Sequence, residues 1–134
     1  VDVWLILILS LALIFAGCSG NNYDKQKLDD FAECLTENGA VMYGAFWCPT
    51  CAKTKNNFGD SFQFINYVEC DPRCVPDENG KIISACDGVP GQPELCLQLN
   101  IDKYDTWIFK DDSRLIGEPS FEELAEKTNC PLPK

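Results

Sequence analysis

An apolar run, Val41-Met42-Tyr43-Gly44-Ala45-Phe46, ends at Trp47 and is followed at once by Cys48-Pro49-Thr50-Cys51. Residues 52–58 are polar enough to continue as a solvated helix. A buried strand that turns directly into a helix, with two thiols three residues apart at the turn, leaves few folds open. Pro49 suits the first helical position, where its missing N–H costs nothing. Cys48 is then expected to stand exposed at the helix N-terminus, where unpaired N–H groups and the helix dipole favour a thiolate. Cys51 falls about one turn further in. That is the geometry of reversible disulfide formation. The spacing alone is not specific, because nine cysteines in 134 residues give about 0.6 chance Cys-x-x-Cys pairs. The strand, the aromatic at 47 and the proline at 49 supply the specificity.

Residues 1–17 do not belong to this fold. Residues 3–17 are almost purely apolar. They are short for a membrane span, which needs about 20 residues, and fit a signal h-region. The stretch ends Ile14-Phe15-Ala16-Gly17-Cys18. Small residues just before a cysteine resemble a lipobox, which makes Cys18 a candidate for lipidation and residues 18–23 a tether. An uncleaved signal anchor is the other reading. Either places residues 24–134, as one domain, outside the cytoplasm on a prokaryotic membrane.

The chain has no histidine, which removes Ser-His-Asp and Cys-His catalysis and His-containing metal sites. Its net charge of −10 argues against nucleic acid as a partner. Many cysteines in an exported chain read as a disulfide framework. With Cys18 set aside, eight remain, and eight can pair in 105 ways.

Leu28, Phe31, Ala32 and Leu35 repeat at helical spacing, so residues 24–38 read as an amphipathic helix. Residues 41–46 suit a central strand, 49–58 a helix and 64–70 a second strand. Residues 71–91 are rich in turn residues and too long for an unsupported loop; a Cys74–Cys86 staple would order them. Residues 93–100 read as a short helix, and 106–109 with 114–116 as a hairpin. Ser120 and Glu123 form a capping box that opens a last helix through 129.

This order is the thioredoxin arrangement: an α/β fold with a mixed central sheet of about four strands flanked by helices, and a disulfide-stapled insertion at 71–91. Five stretches carry a closer resemblance: Met42 through Cys51, Tyr67-Val68-Glu69-Cys70-Asp71-Pro72, Pro93-Glu94-Leu95-Cys96, Tyr104-Asp105-Thr106-Trp107-Ile108-Phe109, and Ser120 through Ala125. Together they resemble the thioredoxin-like domain associated with vitamin K epoxide reductase homologues. The resemblance implies a thiol–disulfide oxidoreductase with Cys48 and Cys51 as the catalytic pair. It places Trp47, Pro49, Thr50, Asp105 and Thr106 around the substrate and requires no cofactor or metal. It also implies a structural Cys70–Cys96 bond, which leaves Cys34 and Cys130 to pair by elimination. The implied partners are cysteine-containing exported proteins and a membrane quinone-linked enzyme of the vitamin K epoxide reductase type, met by a monomer.

Two positions depart from that family. It usually carries a cis-proline before the Thr-Trp strand, where this chain has Asp105. Because a cis bond before a non-proline residue costs about 2.5–4 kcal/mol, a trans bond is expected here. A carboxylate at that place is expected beside Cys48, where it would slow attack. Thr50 stands where many relatives have histidine. Two other readings remain open. Cys48-x-x-Cys51 with Cys70-x-x-x-Cys74 approaches a four-thiolate zinc pattern, with an iron–sulfur cluster as the other metal reading, and a redox-silent binding module could use the groove around Trp47 and Asp105.

Overall fold

The computed structural model describes residues 23–134. The expected leader, Cys18 and the tether before Tyr23 lie outside these residues. The described chain begins with helix α1, Lys25–Glu37, where Asp24 accepts hydrogen bonds from the N–H groups of Gln26 and Lys27. Its buried face carries Leu28, Phe31, Ala32 and Leu35, as the helical spacing predicts. Strand β1, Val41–Gly44, leads to helix α2, Pro49–Phe58. A 3-10 segment, Gly59–Phe64, precedes β2, Tyr67–Glu69. Helix α3, Pro93–Gln98, the strands β3, Thr106–Ile108, and β4, Arg114–Ile116, and helix α4, Phe121–Thr128, complete the order. Ser120 and Glu123 form the expected capping box.

The sheet runs β2-β1-β3-β4. β1 pairs parallel with β2 and antiparallel with β3, and β3 pairs antiparallel with β4. A parallel pair needs a crossover, and α2 supplies it. Side chains alternate across the sheet. Met42 and Trp107 face one core with Phe31, Leu35, Phe58 and Leu124. Tyr43 faces the other with Val68, Cys70, Cys96 and Ile101. The apolar run at 41–46 is thus covered on both faces, which is why it shows no alternation. Cys34 bonds to Cys130, Cys70 to Cys96 and Cys74 to Cys86.

Two strands are shorter than the sequence suggests. β1 stops at Gly44, because the Ala45 carbonyl accepts the Cys48 N–H at 3.0 Å and turns the chain into α2. The second strand starts at Tyr67 rather than at 64. Residues 59–64 wind instead into a 3-10 segment that packs Phe62 and Phe64 against the core. Among the described residues no helix is long and apolar enough to cross a membrane.

Candidate active site

Cys48 caps the N-terminus of α2, and its sulfur accepts the Cys51 N–H at 3.3 Å. The sulfur does one job of a side-chain cap: it satisfies a helix N–H that has no partner within the helix. Pro49 occupies the first helical position and is exposed. Cys48 and Cys51 are the two unbonded cysteines among the described residues. Cys48 is less open than expected, at 5% exposed, against 1% for Cys51. The cap geometry turns its sulfur back over the first turn, and the Thr50 hydroxyl stands 3.1 Å from it. That hydroxyl donates to the Tyr104 carbonyl at 2.9 Å, tying α2 to the segment before β3.

The Tyr104–Asp105 peptide bond is cis, which corrects the expectation of a trans bond. The intrinsic cost alone favours trans, whereas such bonds persist where the surroundings fix both sides. Here Thr50 holds the Tyr104 carbonyl, and the Asp105 carbonyl accepts the Gly117 N–H at 2.8 Å. The Asp105 side chain is fully buried and Oδ2 accepts from the Thr54 hydroxyl at 2.9 Å and the Trp107 indole at 3.1 Å. Oδ1 has no partner.

Burial pushes the Asp105 carboxyl above the usual carboxylate range, and the hydrogen bonds from Thr54 and Trp107 only partly offset it. Burial also pushes the Cys51 thiol far up, aided by its contact with Cys48 and by the Asp105 charge. Thr106 is buried too, and its hydroxyl donates to the Lys103 carbonyl at 2.6 Å. The side chains of Asp105 and Thr106 therefore face inward.

On the other side of Cys51 stands Gly44. A Cβ there would lie 2.9 Å from the Cys51 sulfur and 3.0 Å from the Tyr67 ring, so glycine lets the sulfur pack against the strand. The Tyr67 hydroxyl donates to the buried Glu69 carboxylate at 2.8 Å, and burial followed by that bond drives the phenol far up. The Lys55 ammonium lies 4.1 Å from the Tyr67 ring centroid. A cavity of about 240 Å³ lies between α2 and the stapled loop, lined by Cys51, Lys55, Glu69 and Cys86 among others.

Trp47, like Pro49, is exposed, at 55%. Its indole N–H donates to Asp71 Oδ2 at 2.7 Å, and its ring meets Tyr104 edge-on at 5.9 Å. Arg73 holds Asp71 through two further side-chain bonds, at 3.0 and 2.7 Å. That guanidinium, first among several donors, holds the Asp71 carboxyl down at about 2.

The sequence gives several of these residues no individual role. Gly44 was one member of an apolar run. Thr54 lay in a polar helix, and Asp71 and Arg73 in an insertion. Asp71-Pro72 is a recognisable turn opening, but nothing local says that its carboxylate reaches Trp47. The four-thiolate zinc set does not assemble, since Cys70 and Cys74 are bonded to Cys96 and Cys86. Among the described residues no group of three or more His, Cys, Asp and Glu side chains is placed to hold a metal ion.

No family model matches the chain. Over 102 residues, 75% of its length, the chain is 38% identical to the thiol-disulfide oxidoreductase LTO1 of Arabidopsis thaliana. The fold is thioredoxin-like. The chain spans 24% of the length of that relative.

Proposed function

We propose that this domain is a thiol–disulfide oxidoreductase in which Cys48 is the attacking sulfur and Cys51 the resolving one. The observation that carries this reading is the state of the cysteines. Six of the eight described are bonded, and the two left free sit three residues apart at the cap of α2. Similarity to a thiol-disulfide oxidoreductase supports it.

The Cys48 thiolate attacks one sulfur of a partner disulfide, and the other partner sulfur leaves as a thiolate that takes a proton from water. In the mixed disulfide so formed, Cys51 must lose its proton before it can attack Cys48. Burial opposes that ionisation. Asp105, buried with a free oxygen and felt electrostatically at Cys51, serves as the proton acceptor. Attack by Cys51 closes the 48–51 disulfide and releases the second partner thiolate. Two electrons pass from the domain to the partner, and the reverse sequence oxidises a partner dithiol. No bound cofactor enters these steps.

We place the domain outside the cytoplasm, tethered through Cys18 or an uncleaved leader. Its partners there are cysteine-containing exported proteins and a quinone-linked membrane enzyme of the vitamin K epoxide reductase type. The apolar run at 3–17 and the resemblance at the motifs quoted above support this.

The roles of the two sulfurs are tested by trapping. Cys51→Ser should accumulate mixed disulfides with partner proteins, because nothing releases them, and Cys48→Ser should accumulate few. Equal accumulation by both variants would contradict the assigned roles.

A further inference from the structure

The stapled insertion reaches the active site through one residue. Asp71 stands at its root, capping the 3-10 turn Pro72–Cys74. Its carboxylate collects four donors: the backbone N–H of Arg73 at 2.8 Å, the Arg73 Nε and terminal nitrogen, and the Trp47 indole. The Arg73 guanidinium also lies 4.8 Å from the Phe46 ring centroid. Phe46 and Trp47 are the two residues before Cys48. An indole that is 55% exposed would ordinarily sample several rotamers, but this one is held at its N–H by a buried carboxylate and at its ring by Tyr104.

The root is itself fixed by the rest of the loop. The Asp71 carbonyl accepts the Cys74 N–H at 3.0 Å, and Cys74 is fully buried and bonded to Cys86. The far end of the loop returns onto the root: the Gly91 N–H donates to the Cys74 carbonyl at 2.9 Å. A Cβ at Gly91 would lie 2.6 Å from the Asp71 carbonyl oxygen, so the approach requires glycine. The chain of contacts from the disulfide to the exposed indole is therefore continuous: Cys86, Cys74, Asp71 with Arg73, Trp47.

We propose that the stapled loop is the specificity-determining element of the domain: Asp71 and Arg73 are positioning residues that hold Trp47 as a platform for the polypeptide flanking a partner's disulfide, and the Cys74–Cys86 bond keeps them in place. This rests on the oxidoreductase reading above. A rigid aromatic beside the attacking sulfur gives contact area at little entropic cost, and a fixed ring discriminates between partners where a mobile one does not. A small disulfide has no flanking chain and does not use the platform.

The test is single-turnover oxidation of the pre-reduced domain, followed by acid quench and thiol alkylation. The probes are insulin, a disulfide-bonded polypeptide, and bis(2-hydroxyethyl) disulfide. Asp71→Ala should raise the half-saturating insulin concentration about five- to tenfold, within the net worth of one intramolecular hydrogen bond. The limiting rate and the rate with the small disulfide should stay as in the wild type. Asp71→Asn keeps an acceptor for the indole and should recover part of the loss. Cys74→Ser/Cys86→Ser should behave as Asp71→Ala does. If Asp71→Ala does not fold by circular dichroism, Arg73→Ala takes its place with the same expected pattern. Unchanged insulin saturation in these variants overturns the proposal and leaves the oxidoreductase reading standing, as does equal slowing with both probes. A wild-type domain that exchanges with neither probe refutes the oxidoreductase reading itself.

Discussion

Cys51 is flanked from two sides, and each can be tested. From the strand side, a Gly44→Ala methyl would meet the Cys51 sulfur at 2.9 Å and the Tyr67 ring at 3.0 Å. Overpacking of this kind costs about 1–3 kcal/mol. The variant should lose that much in denaturant unfolding and should resolve mixed disulfides more slowly, because the displaced sulfur must still reach Cys48. From the β3 side, Asp105 supplies the acceptor. Its neighbours are Thr54 on α2, Trp107 on β3, Cys51 and, more distantly, Glu118. Burial raises its pKa in the folded state, so the folded form holds this proton more tightly than the unfolded chain does. The resulting stability is full below the unfolded carboxylate value, about 3.9, and is lost as pH rises through the folded value. Asp105→Asn should therefore match the wild type in urea midpoint near pH 3.5 and exceed it at pH 7.5. The same variant should release mixed disulfides slowly, since an amide accepts no proton. A pH-independent stability difference together with normal release would remove Asp105 from the mechanism. Asp71 has the opposite sign: Arg73 lowers its pKa to about 2, so its contribution holds above the unfolded value and fades only as pH falls through that figure.

Among the elements, the insertion after β2 carries the most consequence for its size. Its staple closes a loop with a sequence separation of 12. In the chain-entropy model a loop of that order is worth about 3 kcal/mol. Cys74→Ser/Cys86→Ser should leave the sheet intact and expose the loop, which limited proteolysis would read as new cleavage between residues 75 and 90. Helices and caps were the most legible parts of the sequence, because their signals are local. Pro49 and the Ser120–Glu123 box each mark a helix start within one residue of where it occurs. Strand ends were less legible. Phe64 and Ile65 look like strand residues, but their side chains pack against the core from the end of a 3-10 segment and the turn after it. The cis bond before Asp105 was illegible for a different reason. It depends on partners that come from 54 residues earlier at Thr50 and 12 residues later at Gly117, and only the folded chain brings them together. The inward aim of Asp105 follows from the same assembly. The candidate site could thus be located from residues 47–51, while its electrostatics could not.

Across the whole molecule, the Cys34–Cys130 bond joins α1 to the chain just after α4 over a sequence separation of 96. Its closure is worth up to about 4–5 kcal/mol in the chain-entropy model. Cys34→Ser/Cys130→Ser should lower Tm by on the order of 15 °C without changing the rate of exchange with a small disulfide, since the pair lies away from α2's N-terminus. The three bonded pairs and the one free pair divide the described cysteines into a frame and a reactive site, and the mechanism rests on that division. It is tested most directly by titrating the wild-type domain through graded dithiothreitol redox buffers, trapping thiols with one equivalent of alkylating agent and then with excess, and mapping the labels by mass spectrometry. The account predicts a single reversible two-electron transition at Cys48 and Cys51, with Cys48 labelled first and the 34–130, 70–96 and 74–86 bonds intact throughout. A first transition at any other pair, or preferential labelling of Cys51, would contradict it.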